Sequence, residues 1–162
     1  MKKLILTEAD KKEIISQKEK AILESFDKIF ESIKRNDEKG SMTSLISKLF
    51  HSRIQVHAFH LQTNSKDSFA EHMALGGFYE EIGDLTDGLV ESYQGKHEIL
   101  TGYESPKLED YKNVEQLIAY FKGLDAEIEK DRKNVKESYL QNQIDTIQEL
   151  VYSTLYKLRF LK

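Results

Sequence analysis

Apolar residues recur along most of this chain at alternating intervals of three and four, the repeat of a single helix face. Ile15, Ile22, Phe26, Ile29 and Ile33 form the first stripe, on a helix expected from about Glu8 to Arg35. Thr7 and Asp10 can form a capping box at its start. Met42, Ile46, Leu49, Val56 and Phe59 mark a second helix, from about Met42 to Gln62, and Thr63-Asn64-Ser65-Lys66-Asp67 is the polar turn that follows. A third helix starts at Ser68, where Ser68 and Glu71 match a second capping box. Its seam is Leu75, Phe78, Ile82, Leu85 and Leu89, and Gly95 is the expected C-cap. Residues 96–112 are the longest irregular stretch and contain Pro106, with room for one short helical turn. Val114, Leu117, Phe121, Leu124 and Ile128 point inward from a fourth helix beginning near Asn113. Ile144, Ile147, Val151, Thr154, Leu158 and Leu161 do so from a fifth, Glu137 to Leu161. The link between them, around Asn134 to Lys136, has no strong helix breaker. No strand pattern competes. The sum is an all-α chain: a four-helix bundle, residues 41–162, behind an N-terminal helical extension, residues 1–40.

Composition narrows the functional classes. A chain of 162 residues with 32% charged and 39% hydrophobic positions suits one helical domain with solvated faces. No apolar run approaches the roughly 18 residues that span a membrane. The start Met1-Lys2-Lys3-Leu4-Ile5-Leu6 has the look of a signal peptide, but its apolar stretch stops at Thr7-Glu8-Ala9-Asp10, so no signal is expected. The absence of cysteine excludes disulfides and thiolate metal sites and fits a reducing cytoplasm. A net charge of −4 opposes general affinity for nucleic acid. The lysines near the N-terminus alternate with acids, as on a solvated helix face. No nucleotide-binding loop, dinucleotide fingerprint or nucleophile triad is present.

The chemistry concentrates in His60, His72, Asp87 and Glu91, spaced H-x11-H-x14-D-x3-E. Two imidazoles and two carboxylates suit a transition metal such as iron, and zinc fits the same donors as a substitute. His60 just before the turn and His72 one helical turn after Ser68 fall at the same end of an antiparallel hairpin. Asp87 and Glu91 are one turn apart and share a face. On one continuous helix, however, His72 and Asp87 lie about 22 Å apart and cannot meet within one chain. A two-fold dimer with the third helices antiparallel closes that gap, its axis near Tyr79 to Glu81. Gly76 and Gly83 straddle this axis, and close approach of a partner backbone would explain glycine inside a helix. Against this stand plainer readings: a single histidine is more often structural, an Asp–Glu pair is an ordinary solvated face, and the glycines mark a kink or a close contact within the subunit. His57, one turn before His60, reads as a core or surface residue ahead of a third imidazole. His51 and His97 have no evident partner.

These residues resemble the central pattern of the Dps family, the ferritin-like mini-ferritins that protect DNA and oxidise ferrous iron. All four ligand positions coincide, Asp67 and Phe69 match the approach to the second histidine, and the helix order agrees across about Met42 to Leu161. The resemblance implies a ferritin-like four-helix bundle with an additional N-terminal helix. It further implies a site between two subunits, with His60 and His72 from one and Asp87 and Glu91 from the other. Ferrous iron would be oxidised there by peroxide or oxygen, and a shell of typically twelve subunits would store it. Glu91 would bridge or anchor the iron. The chain departs from the pattern at Gly76, where the family often has Asp, and at Leu61, where it has Trp. Thr63-Asn64-Ser65 replaces its Gly-containing turn, and Glu91-Ser92-Tyr93 its Glu-Arg-Ile. The missing carboxylate bears most on a second iron position. It leaves open a non-catalytic ferritin-like structural or assembly protein with a degenerate metal site. DNA binding by an assembled shell is less expected, given the acidic balance.

Overall fold

The computed structural model describes Gln17, residues 41–64 and residues 68–161. The chain divides between Glu38 and Lys39, and the second unit holds the core described here. The expected N-terminal helix and its Thr7–Asp10 cap lie outside the described residues, apart from Gln17. Four helices follow: α1 over residues 41–62, α2 over Ser68–Lys96, α3 over Val114–Arg132 and α4 over Ser138–Phe160. Among the described residues there is no strand.

The helices form where the apolar periodicity placed them, because each buries its stripe. Met42, Ile46, Leu49, Val56 and Phe59 of α1 are buried, as are Leu75, Phe78, Ile82 and Leu89 of α2. Leu117, Phe121, Leu124 and Ile128 of α3 and Ile144, Ile147, Val151, Thr154 and Leu158 of α4 complete the same core. Phe78 meets Phe121 edge to face at 4.9 Å. Leu85 is only partly buried, and Leu161 is 48% exposed because α4 ends at Phe160 and the backbone turns extended at Leu161.

One end differs from the expected cap, and side-chain ties mark others. Gly95 does not cap α2; the helix runs through it to Lys96 with no left-handed residue, and Gln94 Oε1 accepts the Leu100 N–H at 2.8 Å. Glu71 accepts the Tyr111 hydroxyl at 2.8 Å, a tie to the next connection, while the Ser68 side chain of the expected capping box lies outside the described residues. Glu137 begins α4 without a side-chain cap bond; its carboxylate takes Lys96 at 2.8 Å and His97 at 2.9 Å. Asn113 does cap α3, accepting the Gln116 N–H.

Residues 97–113 are irregular throughout, with a positive φ at Gly102. Side chains of α1 hold this stretch. Ser47 Oγ accepts the Glu104 N–H, Gln55 bonds both the N–H and the carbonyl of Glu109, and Gln62 accepts the Tyr111 N–H. The connection therefore runs along α1 from its first turns to its last. It delivers α3 to the end of α1 where the turn to α2 lies. Lys48 near the start of α1 then pairs with Glu127 and Asp131 near the end of α3, so α3 runs antiparallel to α1. Since α2 returns from α1 through a short turn, α2 and α3 run the same way, joined by one long crossover.

Candidate metal-ligand half-sites on α1 and α2

The turn between α1 and α2 brings His60 and His72 into contact, as their spacing predicts. Their rings stack with centroids 3.6 Å apart and planes at 25°. His60 Nδ1 lies 2.9 Å from the His72 carbonyl, and His72 Nδ1 lies 3.2 Å from the His60 carbonyl. A carbonyl only accepts, so each Nδ1 must carry its proton and donate. In the neutral rings Nε2 is then the lone-pair nitrogen. Metal-binding histidines are commonly fixed through the other ring nitrogen in this way. Thr63 supports the arrangement: its hydroxyl donates to the His60 carbonyl at 2.8 Å and faces His72 Nδ1 at 3.3 Å. Both imidazoles are half-buried.

Two further rings extend the array. Tyr79 stands edge-on to His60 at 5.1 Å and stacks on His57 at 4.3 Å. His57 is exposed, and its ring centre is 6.2 Å from that of His60, so it stacks beside the pair as an outer ring. The sequence pattern left out Tyr79 and Thr63. Tyr79 follows His72 by two helical turns, a spacing that places it on the same side of α2. His97, without an evident partner in the sequence, stacks on Tyr93 at 4.5 Å and meets Glu137; His51 keeps a buried Nε2 without a partner among the described residues.

Asp87 and Glu91 are exposed one turn apart on α2, with no hydrogen bond or ion pair to a described residue. Because α2 is one uninterrupted helix, Asp87 sits about 22 Å and Glu91 about 28 Å along it from His72. Among the described residues no group of three His, Asp or Glu side chains is placed to hold a metal ion. Each half-set has suitable donors and each is incomplete in one chain.

One of the two glycines has a different cause from the one expected. A Cβ at Gly83 would come within 3.0 Å of the Arg53 guanidinium carbon, whereas one at Gly76 would make only an ordinary contact, 3.5 Å from His60 Cε1. An α1 side chain therefore fills the space that Gly83 leaves, and the plainer reading of a contact within the subunit fits it. The contact with His60 does not itself require glycine at position 76. The α1–α2 end around the imidazoles also exposes large apolar groups: Leu61 at 71%, Phe69 at 75% and Met73 at 57%.

Among the described residues no helix is long and apolar enough to cross a membrane. Comparison with curated proteins and with solved structures found no match. One family profile does match, over residues 60–158, a span that opens at His60 and takes in His72, Asp87 and Glu91. The match covers well over half of the chain, which therefore belongs to the family of unknown function DUF5856.

Proposed function

We propose that the protein is a Dps-like, ferritin-like iron-binding oligomer. In this reading its sites lie between two subunits and oxidise Fe(II), and the assembled protein holds the oxidised product in a shell. The observation that carries this reading is the stacked His60–His72 pair, with both Nδ1 atoms committed to backbone carbonyls and both Nε2 atoms left as donors. A carboxylate pair of matching chemistry stands on the same helix as His72, out of reach in one chain. Antiparallel pairing of two α2 helices levels Asp87 and Glu91 of one copy with His72 and His60 of the other and makes two equivalent sites. The single long crossover between α2 and α3 supports a ferritin-like bundle, which uses one such connection. The N-terminal extension would be the additional helix of that fold, and the cytoplasm its setting.

Fe(II) is the substrate. Imidazole nitrogens and carboxylate oxygens suit it in both oxidation states, and the carboxylates offset the charge gained on oxidation. Two Fe(II) ions each give one electron, and one peroxide takes both electrons with two protons to form two waters. The test is stopped-flow oxidation of Fe(II) by wild type, His72→Ala and Asp87→Ala. Both variants are expected to lose most of the rate; unchanged rates in both would remove these residues from the mechanism.

A second reading is a non-catalytic ferritin-like assembly protein. Gly76 favours it, because the position that would add a carboxylate beside His60 holds no side chain at all. Protein purified without chelator and free of metal, with no Fe(II) uptake, would establish that reading over the first.

A further inference from the structure

Arg53 is held in an unusual place for an exposed arginine. Its guanidinium lies against α2 where Gly83 has no Cβ, so that even a methyl group there would meet three of its atoms at 3.0–3.2 Å. Arg53 makes no ion pair with a described residue, and neither does Glu80, one turn earlier on α2 and also exposed. The guanidinium is thus placed on the helix face with its donors unspent among the described residues. That face is uneven in charge. Glu80, Asp84, Asp87 and Glu91 recur along it at helical spacing and are all exposed, while its N-terminal part carries Phe69 and Met73.

A second copy seated on this face meets a specific electrostatic problem. The register that levels Asp87 with His72 of the second copy sets Gly83 across from its Gly76, and Glu80 across from its Tyr79. The two Glu80 side chains then come together beside the axis, and like charges meeting there oppose association. Glu80 is also the one acidic residue of the second copy's α2 within four residues of the point opposite Gly83. We infer that the occupant of this face is a second copy of the chain, and that Arg53 fixes its register by pairing with the second copy's Glu80. Two Arg53 and two Glu80 then form an alternating ring of four charges around the axis. Gly83 acts as a positioning residue because it seats the guanidinium. This inference rests on the two-fold reading above and adds the contact that selects its register.

The test is the dimer dissociation constant of the full, metal-free chain, measured by sedimentation for wild type, R53E, E80R and the double exchange R53E/E80R, with helical content checked for each. Each single reversal is expected to weaken association by at least about tenfold, and the double exchange to return to within about threefold of wild type. Singles that leave the dimer unchanged, or a double exchange as weak as the two singles combined, would overturn the Arg53–Glu80 pairing while leaving the two-fold reading in place. A monomeric wild type at all concentrations would overturn both. Fe(II) oxidation measured alongside separates loss of assembly from loss of the ligands themselves.

Discussion

Residues at the two ends of α2 do different work. At the N-terminal end, His60 and His72 brace the turn through each other's carbonyls, and Thr63 seals the last turn of α1. At the C-terminal end, Glu137 ties α4 to Lys96 and His97. The Lys96 ammonium on Glu137 holds its carboxyl below the usual range; partial burial opposes this, and bonds from its own backbone and from His97 add to it. A carboxyl with a depressed folded value contributes stability that is fully present above its ordinary value and drains as pH falls through the depressed one. Thermal unfolding followed from about pH 7 down to about pH 3 should therefore show Glu137→Gln less stable than wild type at neutral pH and converging with it in acid. Parallel curves for the two proteins would mean that the tie contributes nothing. The spacing of the sequence made the imidazole pairing legible, since a five-residue turn leaves His60 and His72 few other places to go. It did not reveal what fills the space at Gly76 and Gly83. A glycine in a sequence says that room is needed and is silent about whether His60, Arg53 or another chain takes it.

At the scale of elements, helix interiors were readable and their ends less so. Burying an apolar stripe fixes a helix face, and nearly every described residue assigned to one is buried. Ends depend on which neighbour satisfies the last polar groups. Gly95 was expected to cap α2, yet the helix runs through it to Lys96 with no left-handed residue; Glu71, near the start of α2, takes the Tyr111 hydroxyl of the crossover. The long crossover was legible as irregular chain, but its path was not, because it is set by Ser47, Gln55 and Gln62 of α1. Gln55 is the center of that fastening. It is 1% exposed and bonds both the N–H and the carbonyl of Glu109 at 2.8 Å. Gln55→Ala leaves both backbone groups without those partners and should cost about 1–3 kcal/mol. Denaturant unfolding measures the loss, and limited proteolysis should show new cleavage within residues 97–113. A variant as stable and as resistant as wild type would mean that the crossover is held by other contacts.

The whole molecule combines a closed core with an open α1–α2 face. The core is continuous across all four helices. The face carries the two sets of groups that the proposed site would join, and an arginine and a glutamate that make no ion pair with a described residue. With Gly83 accounted for inside the subunit, the case for a second copy rests mainly on these groups. It is decided most directly by complementation between two defective proteins. One carries His60→Ala and His72→Ala, the other Asp87→Ala and Glu91→Ala; each alone should be inactive in Fe(II) oxidation. Mixed and reassociated, half of the dimers pair unlike subunits, and each of those regains one intact site. About a quarter of the wild-type activity should return. Continued inactivity in mixtures shown by mass to contain the mixed dimer would contradict a site shared between two chains.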